Sequence, residues 1–319
     1  MPPADRTPGA HGLLYITEEQ TAALVDEPPG FEAARAASAA PMEGAVFPRL
    51  VVRGSNPRIR FTLNPSASET HTSVKIGTYW PDNPEQDLPR HHSTLLLLDQ
   101  TIGRIAALLE LGAANAHRTA ADVLAVGLPA RKAATTLAVF GTGHQAAYEV
   151  HAVSRARPID QVLVVGRDKA RAGQLADLLT AQGHDGWAAD AEEACAQADV
   201  IVTTTTAQAD TPPLLEASWV RPGTHISCMG ADAPSKRELP PELLASARHF
   251  CDLPEQAYRM GESQHAPEDA VLTALGDVLT ARASGRDDGD DVTAFDSSGI
   301  GPQDLYLGLA LLKKMDVAL

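Results

Sequence analysis

Residues 135–168 read TTLAVFGTGHQAAYEVHAVSRARPIDQVLVVGRD, and this stretch decides the fold. The apolar run 137–140 contains a β-branched residue and an aromatic residue, which is typical of a buried strand. The glycines of 141–143 break that strand sharply, 144–155 can continue as a helix, and 161–165 supply a second buried strand. Strand, glycine turn, helix and strand in this order predict the first half of a dinucleotide-binding unit.

The two glycines of the turn have separate physical roles in such a unit. Gly141 permits the tight turn, and Gly143 lets the backbone approach a pyrophosphate because no Cβ stands in the way. The helix that follows directs free N–H groups and its positive end at the phosphates. Ala146 replaces the usual third glycine and is small enough for close packing of the helix on the strand. The alternative is a glycine turn with a purely structural role.

Strands and helices alternate after this stretch, which implies a parallel sheet with crossover helices. We predict strands 200–204, 224–229 and 292–297, and helices 169–182, 191–198, 268–283 and 303–316. The residues before the turn form a strand-rich lobe. Its predicted elements are strands 49–52, 59–63 and 74–79, a hairpin at 95–109, and a mostly helical segment at 116–131.

The composition excludes several classes of function. The 319 residues are 44% hydrophobic and carry a formal net charge of −15, so we expect no nucleic-acid partner and no binding to anionic membrane surfaces. No apolar run approaches the roughly 20 residues that span a bilayer. The N-terminus lacks a signal-peptide pattern, and the three cysteines form no CxxC motif. We therefore expect a cytoplasmic protein with reduced thiols and no metal site.

The end of the second strand carries information about the cofactor. An NAD-specific site usually has an acidic residue here to bind the ribose 2′-hydroxyl, whereas this chain reads Gly166-Arg167-Asp168-Lys169, with Arg171 nearby. A guanidinium offers a planar fork of donors to a 2′-phosphate, so the sequence favours NADP(H). In the alternative, NAD(H) binds, Asp168 accepts from the ribose diol, and Arg167 is a solvated surface residue.

Four further residues are candidates for substrate chemistry. Asp232 follows a predicted strand end, where a carboxylate can act as a general acid or base beside the nicotinamide, or alternatively cap the segment that follows. Lys75 lies mid-strand and, if it faces inward, needs a counter-charge such as a substrate carboxylate; the alternative is an outward edge lysine. Arg118, on the helix that leads to the turn, and Arg49 are the other two candidates, and the alternative for each is a surface arginine.

Together these residues resemble the ornithine cyclodeaminase/μ-crystallin family. The matching pieces cover most of the chain and occur in the family's order. They are Val74-Lys75-Ile76, Arg118-Thr119-Ala120-Ala121, FGTGHQA at 140–146, HISCMGADAPSKREL at 225–239, DSSG at 296–299 and QDL at 303–305. The resemblance implies an α/β fold: a Rossmann-type doubly wound parallel sheet at 131–301, plus a smaller α+β substrate-binding and dimerisation domain made of 1–130 and 302–319. It also implies a homodimer built through the N-terminal strands.

The resemblance further implies roles for individual residues. Lys75 and Arg118 match the positions that bind the substrate carboxylate, Arg49 is expected to do the same, and Asp232 matches the catalytic carboxylate beside the nicotinamide. Lys75 is a candidate catalytic residue as well. The expected cofactor contacts are Gly141, Thr142, Gly143, His144, Gln145, Arg167, Asp168, Lys169, Thr204, Thr205, Met229 and Gly230.

The family carries out several reactions on small amino acids and imines, and two departures bear on which one applies. Its cyclodeaminases have an acidic residue about a dozen positions before the lysine, suited to a distal ammonium, whereas this chain reads Arg60-Phe61-Thr62-Leu63 there, and its nearest acid is Glu69. Cyclodeaminases that recycle NAD also tend to have an aspartate where this chain has Gly166-Arg167. We therefore expect an NAD(P)H-dependent imine reductase or amino-acid dehydrogenase. The alternatives are an ornithine cyclodeaminase and a μ-crystallin-like protein that binds NADPH and a small ligand with little turnover.

Overall fold

The computed structural model describes residues 12–25, 27–40, 49–53, 56, 58–120, 129–130, 133–206 and 211–317. The chain divides into two compact units. The mixed-sheet unit consists of Met1–Ala33, Pro41–Asn115 and Ile300–Leu319, and the parallel-sheet unit consists of Ala34–Ala40 and Ala116–Gly299. The chain thus passes between units after Asn115 and Gly299, whereas the domains predicted from the sequence divide after residues 130 and 301.

The described residues form strands and helices along most of the chain. The strands are β1 (Leu14–Ile16), β2 (Leu50–Arg53), β3 (Arg60–Ala67), β4 (His71–Tyr79), β5 (His91–Asp99), β6 (Arg104–Glu110), β7 (Thr136–Phe140), β8 (Gln161–Val165), β9 (Asp185–Ala188), β10 (Val200–Thr203), β11 (His225–Cys228), β12 (Arg248–Cys251), β13 (Leu272–Ala274) and β14 (Thr293–Asp296). The α-helices are α1 (Glu18–Leu24), α2 (Glu27–Ala39), α3 (Gly112–Ala120), α4 (His144–Ala156), α5 (Lys169–Ala181), α6 (Ala191–Gln197), α7 (Pro241–Ser246), α8 (Pro254–Met260), α9 (Leu275–Leu279) and α10 (Gly301–Lys314). Among these helices, none combines the length and the apolar composition that crossing a membrane requires.

The parallel-sheet unit has the strand order β13-β12-β14-β11-β10-β7-β8-β9, and all of its neighbouring strands are parallel. Its first strand in sequence, β7, therefore lies inside the sheet, with β8 on one side and β10 on the other. Leu137–Phe140 and Val200–Thr203 are buried throughout, as expected for a parallel sheet covered on both faces. This is the doubly wound order, in which ligands bind where the strand order reverses, and the predicted fold class is confirmed.

The mixed-sheet unit has the strand order β1-β6-β5-β4-β3-β2, with β1 parallel to β6 and the other neighbours antiparallel. The last helix, α10, packs on β3, β4 and β5. A Cβ on Gly301 would lie 2.5 Å from the Pro65 carbonyl oxygen, and one on Gly308 would lie 2.4 Å from Leu95 Cδ2. The two glycines therefore let the helix approach the sheet closely, which fixes the side chains of its first turn.

One predicted element is wrong. The sequence predicts a single helix over 268–283, but the structure has β13 followed by α9, which is only 5 residues long. Leu272–Ala274 pairs in parallel with His249–Cys251, and this pairing with a distant strand outweighs the local preference for helix. Of the helix predicted at 116–131, the structure describes α3 as far as Ala120, whereas 121–128 and 131–132 lie outside the described residues.

Candidate active site

The glycine turn joins β7 to α4 at the carboxyl edge of the parallel sheet. Gly141 has φ +125°, which glycine adopts at little cost, and its N–H donates to the Val165 carbonyl at 2.9 Å. A Cβ on Gly141 would lie 2.6 Å from Thr204 Oγ1. A Cβ on Gly166 would lie 2.6 Å from the methyl carbon of Thr142. Three neighbouring strand ends therefore meet tightly around this turn.

The start of α4 has the properties of an anion site. A Cβ built on Gly143 would meet no atom of the described residues within 4 Å, so the backbone there is open to a ligand. Gly143 is the N-cap residue and offers no side chain to the first-turn N–H groups, which lie at the positive end of the helix. The residues present thus fit the pyrophosphate of a dinucleotide.

Two predicted cofactor contacts in the first turn of α4 have different surroundings. His144 is exposed, and its ring centroid lies 5.0 Å from that of Tyr148. Gln145 is half-buried, and its amide nitrogen donates to the Ala116 carbonyl at 3.0 Å and to Glu149 Oε1 at 2.8 Å. The Gln145 side chain therefore braces α4 against the end of α3, whereas His144 is accessible.

The residues after β8 are exposed. Asp168 is the N-cap of α5, since its Oδ1 accepts from two first-turn N–H groups at 3.0 and 3.2 Å. Lys169 pairs with Asp190, and Arg171 Nε lies 3.6 Å from the Asp168 carboxylate. Arg167 is exposed next to this cap. Asp168 thus has a structural role at the helix start, in addition to any role in cofactor binding.

A buried carboxylate that the sequence analysis did not single out ties two strand ends together. Glu238 accepts from Thr203 Oγ1 at 2.6 Å, from the N–H and Oγ1 of Thr205 at 2.9 and 2.7 Å, and from the Gly230 N–H at 2.9 Å. Burial raises its pKa, which the hydrogen bonds from Thr203 and Thr205 partly oppose. The predicted cofactor contacts that follow these two strands are Thr204, Thr205, Met229 and Gly230.

Asp232 lies in the loop after β11. Its Oδ1 accepts from Lys236 Nζ at 2.6 Å, and the same ammonium donates to the Gly230 carbonyl at 3.2 Å. The alternative role as a helix cap is wrong, because residues 233–240 contain no helix and Pro240 is the N-cap of α7. The Asp232 side chain is 37% exposed.

Two further carboxyl groups are buried behind this loop. Glu262 accepts from the backbone N–H groups of Glu238 and Leu239 at 2.9 and 2.8 Å, and Asp296 accepts from the Ser263 N–H at 2.7 Å. Burial raises the pKa of Glu262 to about 8 and the pKa of Asp296 to about 7. In the folded state these groups therefore hold protons that ordinary carboxyl groups release.

The free energy of unfolding is expected to fall as the pH rises from near neutrality to about 8. The unfolded chain has already released both protons, so raising the pH favours the unfolded state until Glu262 and Asp296 titrate. Buried His225, whose pKa is lowered to about 3, acts in the opposite direction, but only below the usual pKa of histidine. Thermal unfolding measured against pH checks this. We expect Glu262→Gln to flatten the slope and the exposed Glu268→Gln to leave it unchanged; a slope unaltered in Glu262→Gln would contradict the assignment.

Lys75 faces inward from β4, a strand with a neighbour on each side. It is buried, and its Nζ donates to Asp304 Oδ1 at 2.8 Å and to Asn115 Oδ1 at 3.1 Å. Asp304 is itself buried in the first turn of α10. The alternative of an outward edge lysine is therefore wrong. The sequence analysis assigned no role to Asp304 or Asn115, because neither is near Lys75 in the chain.

Arg49 and Lys75 both lie next to one further polar residue of the mixed sheet, Asn64. Arg49 Nε donates to Asn64 Oδ1 at 3.1 Å, and Asn64 lies directly opposite Lys75 in the pairing of β3 with β4. Opposite residues of antiparallel strands project to the same face, so the three side chains form a polar row on one face. Arg118, which belongs to the parallel-sheet unit, is buried, and the alternative of a surface arginine is wrong for this residue.

Known proteins are similar to this chain in sequence and in fold. The profile of the ornithine cyclodeaminase/mu-crystallin family matches residues 32–311. The chain belongs to this family. The iminosuccinate reductase of Paracoccus denitrificans is 34% identical over 311 residues, covering 94% of this chain and 96% of that protein. Its crystal structure in complex with NAD⁺ has a TM-score of 0.88 at 32% identity and covers 96% of this chain and 97% of that one.

Other family members extend the range of named activities. An archaeal alanine dehydrogenase dimer with bound NAD has a TM-score of 0.88 at 26% identity, covering 96% of this chain and 98% of that one. The mouse ketimine reductase mu-crystallin is 30% identical over 241 residues, which is 75% of each protein. The predicted family is confirmed, and so is the predicted class of enzyme, an NAD(P)-dependent oxidoreductase of this family.

Proposed function

We propose that this enzyme reduces a small imine that bears a carboxylate next to the imine carbon, or oxidises the corresponding amino acid. The observation that carries the proposal is the inward-facing Lys75, whose ammonium is fixed by Asp304 and Asn115. A fixed and buried ammonium has lost most of its hydration, so a charge-assisted hydrogen bond to a substrate carboxylate stabilises it. Arg49, in the same polar row, and Arg118 are proposed to contribute further positive charge.

The composition of β3 and β4 supports a reductase over an ornithine cyclodeaminase. The polar row on the mixed sheet contains an asparagine at position 64, and Arg60–Ala67 and His71–Tyr79 have no acidic residue. A diamino acid needs a carboxylate for its distal ammonium, and a buried ammonium without one is costly. The names of two relatives, iminosuccinate reductase and ketimine reductase mu-crystallin, support the same reaction class.

The side chains have separate tasks in this reaction. Lys75, Arg118 and Arg49 hold the substrate carboxylate, which orients the imine carbon. The nicotinamide, when bound, supplies the hydride. Asp232 faces the charge that the substrate nitrogen carries and favours the protonated form of that nitrogen. We assign the cofactor to the glycine turn, the start of α4 and the strand ends at Thr204, Thr205, Met229 and Gly230.

We favour NADP(H) as the cofactor, with NAD(H) as the alternative. Arg167 is exposed after β8 and can offer a planar fork of donors to a 2′-phosphate, whereas the Asp168 carboxylate already accepts two helix N–H groups. The NAD found in two related structures supports the alternative.

Replacing Arg167 by alanine is expected to weaken NADPH binding by about tenfold or more and to change NADH binding little, because a hydrogen bond to a charged group is worth about 1.5–3 kcal/mol. Fluorescence titration of both cofactors measures this. Arg155→Ala, which removes an exposed arginine at the far end of α4, is the matched control. Wild-type protein that binds NADH tenfold more tightly than NADPH would exclude the NADP(H) preference.

We also propose a homodimer in the cytoplasm. Leu13, Tyr15 and Leu50 are large apolar or aromatic residues that are more than half exposed at or next to edge strands of the mixed sheet, and the related archaeal alanine dehydrogenase is a dimer. Burial of such residues between two copies is favourable. The described cysteines form no disulfide, which supports a reducing compartment. Light scattering on the purified protein tests the dimer.

A substrate screen tests the reaction class. Cyclic imino acids, 2-oxo acids with ammonia or amines, and diamino acids are each incubated with NADH or NADPH, and turnover is followed by nicotinamide absorbance and product mass. Stoichiometric oxidation of the cofactor with a carboxylate-bearing imine is expected. Ammonia release from ornithine with only trace NAD would favour a cyclodeaminase. Tight NADPH binding with no turnover of any substrate would favour a μ-crystallin-like binding protein.

A further inference from the structure

The loop that carries Asp232 also carries its ion-pair partner. Lys236 is four residues further along, and its side chain is only 9% exposed, against 37% for Asp232. One carboxylate oxygen of Asp232 accepts from Lys236, and the Asp232 side chain is the more exposed of the two. Lys236 is thus buried, and Asp232 is the member of the pair that reaches the surface of this unit.

Several contacts fix the position of Lys236. Its ammonium also donates to the Gly230 carbonyl, and its own carbonyl oxygen lies 2.8 Å from His265 Nε2. Gln264 Oε1 accepts from the Ser235 N–H at 2.7 Å, and Ser235 has φ +69°, a value that side-chain-bearing residues rarely adopt. The loop is therefore held in a costly conformation by the Glu262–His265 helical turn, as is common at functional sites.

The charges around Lys236 leave Asp232 as its principal anion. Glu238 lies two residues away, but its carboxylate binds Thr203, Thr205 and the Gly230 N–H. Glu262 lies in the neighbouring Glu262–His265 turn. Burial raises its pKa to about 8, so it is largely protonated at neutral pH. The hydrogen bond from Lys236 stabilises the ionised form of Asp232 over the protonated form.

We propose that Lys236 is a positioning residue that keeps Asp232 ionised and holds its carboxylate in position, so that the enzyme binds the imine substrate as a protonated iminium. This inference rests on the proposed reductase function. The hydride and its electron pair add to the iminium carbon, the C=N π pair becomes the nitrogen lone pair, and the neutral amine then takes a proton from water. Asp232 stabilises the cationic nitrogen before transfer and stays a carboxylate throughout. In the oxidative direction the same steps run in reverse.

The first test follows the titration of Asp232 without using catalysis. The ¹³Cγ signal of Asp232 in aspartate-labelled protein, identified by its loss in Asp232→Asn, is recorded against pH with oxidised cofactor present. We expect the midpoint to lie at least about one pH unit higher in Lys236→Met than in wild-type protein. Lys236→Arg keeps the cation and is expected to shift it less. An equal midpoint in wild type and Lys236→Met would overturn the proposal.

The second test uses the pH dependence of reduction. The ratio of kcat/KM between Lys236→Met and wild type is expected to fall progressively as the pH is lowered from mildly alkaline values, whereas Lys236→Arg stays within about threefold of wild type. A loss that is equal at every pH, in both variants, would mean a structural or direct chemical role and would overturn the proposal. If wild-type protein reduces no imine, the proposed function fails, and the titration still decides the role of Lys236.

Discussion

Replacement of Lys75 by methionine is expected to raise the KM for a carboxylate-bearing imine by about tenfold or more, and to leave the Kd for the cofactor nearly unchanged. Methionine keeps most of the unbranched apolar side chain but removes the charge-assisted hydrogen bond to the substrate carboxylate, which is worth about 1.5–3 kcal/mol. The cofactor is assigned to residues of the parallel-sheet unit, whereas Lys75 belongs to the mixed-sheet unit. Initial rates give KM, and nicotinamide fluorescence gives Kd.

The same substitution is expected to destabilise the fold, because it removes the ammonium that faces buried Asp304. Breaking a buried ion pair costs about 3–5 kcal/mol. The double variant Lys75→Met/Asp304→Asn removes both charges, so it is expected to recover stability to denaturant without recovering a normal KM. Lys313→Met, which removes an exposed lysine near the end of α10, is the control for loss of charge. A normal KM in the double variant would exclude Lys75 as a carboxylate ligand.

The parts of the fold that sequence reasoning predicted are those with local causes. The turn at Gly141 needs a positive φ, which glycine supplies by itself, and the apolar runs of β7 and β8 reflect burial on both faces. The helix predicted at 268–283 is wrong because its strand exists only through pairing with β12, which lies elsewhere in the chain. Local propensity carries no information about such a partner.

The residues of the candidate site also fall into two groups, those with a local sequence signal and those whose partners are distant in the chain. Asp232 and Lys75 were identifiable because each belongs to a short motif, although the burial of Lys75 was not. Asp304 lies 229 residues from Lys75, and Glu238 acts through hydrogen bonds to strand ends that the chain reaches separately. The sequence contained one signal for both, since each acid lies inside a family motif, SKREL or QDL. Their partners become apparent only when the strands and α10 are packed.

Replacement of Asp232 by asparagine is expected to lower kcat by about 10²–10³-fold, the range typical for loss of one group that stabilises charge during the reaction. Asparagine has nearly the same shape, and its amide oxygen can still accept from Lys236, so the loop is expected to keep its conformation. What disappears is the negative charge, without which the cationic substrate nitrogen is not stabilised. Single-turnover rates with saturating imine and reduced cofactor measure the chemical step directly.

The loss is expected mainly in kcat. The Asp232 carboxylate attracts the substrate nitrogen only when that nitrogen is charged. The KM for the imine and the Kd for the cofactor should change much less than kcat, since the carboxylate and the dinucleotide are assigned to other residues. Asp269→Asn makes the same chemical change at an exposed position of the same unit and should leave kcat unaltered. Full turnover in Asp232→Asn would show that the carboxylate takes no part in the reaction.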